Sequence, residues 1–89
     1  MEITFTRPAR RDLEHIHAFI ARDDPGRSYE ALANIRVAIN RLALYPALGR
    51  PGKKAGTREL IVPYLPYKVP YRVRGGKVFI LRVLHTRQQ

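Results

Sequence analysis

Apolar and polar residues alternate strictly from Tyr67 to Arg74: Tyr67, Val69, Tyr71 and Val73 interleave with Lys68, Pro70, Arg72 and Arg74. That period of two predicts a strand with one buried face. Gly75-Gly76 follows, and then Lys77-Val78-Phe79-Ile80-Leu81-Arg82-Val83-Leu84-His85. Two glycines between two such runs predict a tight hairpin, because both central residues of a type I′ turn need φ > 0. In that register Arg74 lies opposite Lys77, Val73 opposite Val78, Arg72 opposite Phe79, Tyr71 opposite Ile80 and Val69 opposite Arg82. One face then carries Val69, Tyr71, Val73, Val78, Ile80 and Leu84, with Arg82 among them. The other mixes Lys68, Arg72, Arg74 and Lys77 with Phe79, Leu81 and Val83. Pro70 cannot donate to a ladder, so a bulge or an edge-facing nitrogen is expected there.

The apolar face needs a cover, and the preceding chain supplies one. Glu2 to Thr6 reads as a short strand with Ile3 and Phe5 on one face. Ala9, Leu13, Ile16 and Ile20 recur at helical spacing, and Pro8 suits a first helical turn. Asp23-Asp24-Pro25-Gly26 breaks that helix and starts another, with Asp24 as cap and Pro25 in the first helical position. Leu32, Ile35, Ile39 and Leu42 form the second stripe, which Pro46 ends. The helices are expected near Pro8–Arg22 and Gly26–Tyr45, packed as a hairpin. Leu48 to Gly56 is too rich in glycine and proline for regular structure. Thr57 to Val62 reads as a strand. The order β-α-α-β-β-β predicts an α+β fold, a helical hairpin on one face of an antiparallel sheet.

A chain of 89 residues is expected to form one domain. It has no cysteine, which excludes disulfides and thiolate chemistry. No apolar run approaches the roughly 20 residues of a membrane span. Met1 to Thr6 has no charged n-region or apolar h-region, so no signal peptide is expected and the cytoplasm is the expected compartment. His15 and His17 stand two apart and cannot form a helical metal pair, so no metal or other cofactor is expected. The basic loop lacks the Gly-Lys-Ser/Thr ending of a phosphate-binding loop.

Charge changes the picture. The net charge is +10, of which residues 1–48 contribute +1 and residues 49–89 contribute +9. A polarity of that kind implies an acidic partner, either nucleic acid or protein. Cleavage of RNA without a metal would need a base, cations for the phosphorane-like transition state and an acid. His85 is the candidate base or acid, with Arg82, Arg58, Lys53 and Lys54 as cations. A surface that only binds would instead use Lys68, Arg72, Arg74, Lys77 and Arg87. Arg82, expected on the apolar face, would need an ion pair such as Asp12 or Glu14 if it is structural. Tyr71 is expected in the core. Tyr64 and Tyr67 could equally stack on bases or bury their rings.

Four runs together carry a family likeness: Gly49-Arg50-Pro51-Gly52, Gly56-Thr57-Arg58-Glu59-Leu60, Pro66-Tyr67-Lys68-Val69-Pro70-Tyr71-Arg72-Val73 and Val78-Phe79-Ile80-Leu81-Arg82-Val83-Leu84-His85-Thr86-Arg87. They resemble the RelE/ParE superfamily of toxins from type II toxin–antitoxin systems, and the likeness spans nearly the whole chain. The resemblance implies a small bacterial toxin in a hetero-oligomer with a cognate antitoxin protein. RelE-like members cut messenger RNA on the ribosome; ParE-like members inhibit DNA gyrase. The Arg-Val-Leu-His-x-Arg ending and the strand around Tyr71-Arg72-Val73 resemble ParE-like members more closely. The sequence reaches Gln89 without the aromatic tail residue that many RelE-like members use in catalysis. It also reaches Gln89 without the longer C-terminal extension of many ParE-like members. The competing class is a non-toxic basic nucleic-acid-binding module.

Overall fold

The computed structural model describes residues 1–87; Gln89, the terminal position singled out above, lies outside them. Strand β1 (Glu2–Phe5) leads into helix α1 (Arg7–Ala21), then helix α2 (Pro25–Asn40). A 3-10 turn at Arg41–Ala43 follows, then β2 (Arg50–Pro51), β3 (Arg58–Ile61), β4 (Tyr67–Arg74), β5 (Lys77–Ile80) and β6 (Leu84–His85). The fold is α+β, two helices on one face of a sheet of order β1-β5-β4-β3-β2, with β6 also paired to β4.

Local chemistry sets the helix starts. The Asp24 carboxylate accepts from Arg27 N at 3.1 Å, and Pro25 occupies the first helical position. Thr6 caps α1 by accepting from Ala9 N at 3.3 Å. Its hydroxyl donates to Ile80 O at 2.8 Å, so the helix start is fixed to the end of β5. Helix α2 ends at Asn40 and the chain tightens into the 3-10 turn, so the α-helix is shorter than its hydrophobic stripe, which runs on to Leu42.

Leu13, Ile35, Ile39 and Leu42 from the helical layer meet Leu60, Val69, Tyr71, Val78 and Ile80 from the sheet. Ile35, Ile39, Tyr71, Val78 and Ile80 are fully buried. Each aliphatic side chain of this kind contributes about 1.5–3 kcal/mol on burial.

Three expectations need correction. The sheet is not wholly antiparallel, because β1 pairs β5 in parallel, with Ile3 beside Val78 and Phe5 beside Ile80. Arg50–Pro51 is a short strand against Arg58 and Glu59, within the stretch expected to be a loop. The last strand is interrupted.

That interruption rearranges the faces. The hairpin register holds from Arg74↔Lys77 to Tyr71↔Ile80. Leu81 N and Arg82 N then both donate to Pro70 O, at 2.9 and 3.4 Å. Two residues oppose one, which is a β-bulge. Pro70 has no N–H to return, and the Thr6 hydroxyl donates to Leu81 O at 3.1 Å instead. Beyond the bulge the register is shifted by one, with Lys68 opposite Leu84 and Tyr67 opposite His85. Val83 therefore enters the helix-side core. Leu84 moves to the outer face beside Lys68. Arg82, expected opposite Val69 on the buried face, is half-exposed.

Candidate functional site

No described helix lies over the outer face of the sheet. Register places Glu2 and Thr4 of β1, Lys77 and Phe79 of β5, Arg72 and Arg74 of β4, and Glu59 and Ile61 of β3 on that side. Its centre is a recess of about 240 Å³ lined by Lys53, Lys54, Thr57, Glu59, Lys68, Pro70, Leu81, Arg82 and Leu84. Cations surround an apolar floor there, with a single carboxylate.

A compact turn presents two of those cations. Gly52 N donates to Thr57 O at 2.8 Å, and Thr57 Oγ1 donates to Lys54 O at 2.6 Å. A Cβ at position 52 would stand 2.4 Å from Thr57 Oγ1, so the closed turn requires glycine. Lys68 sits deeper, with only 8% of its surface exposed, so it is less available than an exposed binding residue would be. Glu59 is held by Arg50 at 3.5 Å, a loose pair with a largely exposed arginine. Such pairs contribute about 1 kcal/mol at most.

Arg82 is occupied by the fold. Its Nε donates to Asp12 Oδ2 at 2.7 Å and its Nη2 to Asp12 Oδ1 at 3.0 Å. Val83 N donates to the same Oδ2 at 2.9 Å, so one helix carboxylate closes the bulge. The hydrogen bond that Arg82 donates to Asp12 raises its pKa above the ordinary value. Of the readings open for Arg82, the ion pair with Asp12 is the one that the geometry contains.

Arg58 is occupied too, on the other side of the sheet. It lies opposite Tyr71, and its Nη1 donates to Gly49 O at 2.7 Å and Ala47 O at 3.4 Å. The Tyr71 hydroxyl donates to Pro46 O at 2.7 Å and accepts from Gly49 N at 2.8 Å. Two side chains thus fasten the segment 46–49, which leads into the basic loop.

His85 faces away from the recess. It lies against the helix side, in a hollow shared with Asp12, His15, Ile16, Phe19, Tyr67, Arg82 and Val83. Its ring meets Tyr67 edge-on at 5.8 Å, and its Nδ1 accepts from Arg87 N at 3.2 Å. Burial raises the Tyr67 pKa. Tyr64 stands fully exposed at a turn with φ of 65°.

The candidates for RNA chemistry are therefore dispersed. Lys53 and Lys54 border one recess, Arg82 lines both that recess and the hollow that holds His85, Arg58 serves the 46–49 segment, and His85 lies across the sheet from the two lysines. Arg72, Arg74 and Lys77 line up on the outer face towards the hairpin tip, and Arg87 follows β6. Sequence reasoning missed Thr6, Ser28 and Gly49 as structural pivots. Ser28 is fully buried, with Oγ 2.6 Å from His17 Nδ1 and donating to His17 O at 3.0 Å. Nothing in a lone serine on a helix signals that contact. Among the described residues no group of three or more His, Asp or Glu could hold a metal. No described helix is long and apolar enough to cross a membrane.

A family model described as the ParE toxin of type II toxin–antitoxin system, parDE, matches residues 3–89. Y4kP of Sinorhizobium fredii is 45% identical over 87 residues, covering 98% of this chain and 90% of its own. Toxin RelE2 and Toxin ParE3 of Caulobacter vibrioides are each 33% identical over 85 residues. These matches cover 96% and 92% of this chain and 94% and 83% of the relatives. The solved chromosomal ParDE TA system from P. aeruginosa contains a similar chain, with TM-score 0.85 and 28% identity over 96% of this chain and 95% of that one. The toxin–antitoxin complex RelBE2 from Mycobacterium tuberculosis gives TM-score 0.64 and 27% identity, covering 94% and 95%.

Proposed function

Because the chain belongs to the ParE toxin family of type II toxin–antitoxin systems, we propose that it arrests growth by binding DNA gyrase, and that a cognate antitoxin protein neutralises it. One observation carries the choice of target. The only neutral-pH proton shuttle nominated for RNA cleavage, His85, lies on the opposite side of the sheet from Lys53 and Lys54. General acid–base catalysis needs its groups within hydrogen-bond reach of one substrate. A binding function needs only a shaped surface, and Arg72, Arg74 and Lys77 share the outer face, with Lys68 buried more deeply beside them. The cytoplasm, where gyrase works, is the proposed site of action.

The antitoxin reading is supported by the relatives solved as ParDE and RelBE2 assemblies. A chain of net charge +10 with Phe19, Leu44, Tyr45 and Leu48 exposed suits a partner bringing acidic and apolar residues. That partner should raise the melting temperature by mass action.

The second reading is a RelE-like ribonuclease, and the recess favours it by gathering Lys53, Lys54, Lys68 and Arg82. Supercoiling by purified gyrase and messenger cleavage on programmed ribosomes separate the two. The wild type is expected to inhibit supercoiling and leave messenger intact. His85→Ala should keep that inhibition, and Arg72→Glu with Arg74→Glu should lose it while staying folded. Messenger cleavage that disappears in His85→Ala, beside normal supercoiling, would replace the gyrase reading with the ribonuclease.

A further inference from the structure

The cations at the end of the β4–β5 hairpin are placed at a cost to the free protein. Arg74 and Lys77 are directly opposite each other across the hairpin. Like charges in that position are destabilising. Neither is ion-paired; among the described residues the ion pairs are Arg50–Glu59 and Arg82–Asp12. Glu2 is the β1 neighbour of Lys77, yet it makes no such pair. Arg72 follows on the same face, two residues from Arg74, and its Nε is buried without a hydrogen-bond partner. Three cations thus stand in one row with an unsatisfied donor among them.

We propose that this row, Arg72, Arg74 and Lys77, binds the phosphate backbone of duplex DNA. The proposal rests on the gyrase reading for its setting: the toxin would grip the DNA that its target holds. At the turn itself DNA is favoured over a protein partner, because Gly75-Gly76 gives no apolar or aromatic anchor for an interface centre and lysine is depleted there, while Arg72 and Arg74 suit either partner. The tip itself is Arg74-Gly75-Gly76-Lys77, with no apolar side chain. Alternate residues on a strand lie about 6.6 Å apart on one face, so Arg72 and Arg74 can engage phosphates in sequence. A two-stranded ribbon is an element that the major groove of B-DNA admits, at about 12 Å wide. The A-form major groove is deep and narrow, which selects against duplex RNA.

The test uses the full chain and a fluorescein-labelled 20-base-pair duplex, with anisotropy read from 50 to 200 mM salt. Three phosphate contacts give a slope of log affinity against log salt of about −2.7, or a loss of roughly 40-fold over that range. Arg74→Gln with Lys77→Gln should reduce the loss to about 3.5-fold, the slope of a single contact. Arg10→Gln with Arg11→Gln on α1 removes the same charge from exposed positions elsewhere and should leave the slope unchanged. The hairpin variant relieves a like-charge pair, so its melting temperature should not fall; Arg74→Gln alone gives an intermediate slope if the double variant unfolds. Absence of duplex binding at 50 mM salt overturns the proposal, as do equal effects of the two double variants. Tighter binding to an RNA hairpin or to polyglutamate than to the duplex also overturns it. Supercoiling is assayed on the same preparations. Duplex binding without gyrase inhibition upholds this site and removes the gyrase reading; inhibition without duplex binding does the reverse.

Discussion

Tyr71→Phe should destabilise the protein while leaving its core packing intact. The ring is fully buried and remains in the variant, so no cavity is created. Only the hydroxyl goes, and with it the bond to Pro46 O at 2.7 Å and the one from Gly49 N at 2.8 Å. A net hydrogen bond contributes about 1 kcal/mol, and a buried donor left unpaired costs about 1–3 kcal/mol. Gly49 is buried, so its N–H has no ready replacement in water. Arg58 still holds Gly49 O at 2.7 Å and limits how far the segment can relax. The expected loss is about 2–3 kcal/mol. In a domain of this size that is a fall in melting temperature of roughly 10–20 °C. Urea unfolding at unchanged m-value measures the energy, and hydrogen exchange at the Gly49 amide locates it. A loss below about 0.5 kcal/mol with that amide still protected would refute the reasoning.

Ile39→Asp or Ile80→Asp should unfold the protein, because each places an unpaired carboxylate at a fully buried position at a cost of several kcal/mol; circular dichroism checks it. Asp12→Ala should cost about 2 kcal/mol and speed exchange of the Val83 amide, since it removes the acceptor for Arg82 and Val83 together. Burial raises the Tyr67 pKa, so the fold favours its protonated form and the unfolded chain loses the proton first. That stability is complete below the ordinary tyrosine pKa of about 10 and is lost as pH rises through the higher folded value. Tyr67→Phe should therefore flatten the alkaline limb of a stability–pH profile.

How much was legible in the sequence varied with the range of the signal. Helix starts at Asp24-Pro25 and near Pro8 are local chemistry and could be read directly. The register from Tyr71 to Lys77 followed from Gly75-Gly76, both with positive φ. The bulge was half-visible: Pro70 marks the place, but Val78 to Leu84 is apolar at nearly every position. A one-residue shift leaves such a run looking the same, so Arg82, Val83 and Leu84 were assigned to the wrong faces. The parallel docking of β1 was invisible, since a short alternating segment does not say which edge it joins. The site suffered for the same reason. Arg58 and His85 look available in a list of residue types, and only the three-dimensional pairing shows which side of the sheet each one occupies.

Strand β1 lies beside β5, so residues 2–5 pair with residues 77–80. Residues 2–5 must wait for partners that are made about 75 positions later (77 − 2). Domains emerge at about 5–20 residues per second during synthesis, so the waiting time is several seconds. Through that interval the Thr6 cap has no Ile80 carbonyl to hold, and the outer face that carries Arg72, Arg74 and Lys77 has no finished edge. A nascent or prematurely terminated chain that stops short of residue 77 is thus expected to lack the assembled surface. Synthesis itself then provides a short delay in which a co-expressed neutralising partner can already be present.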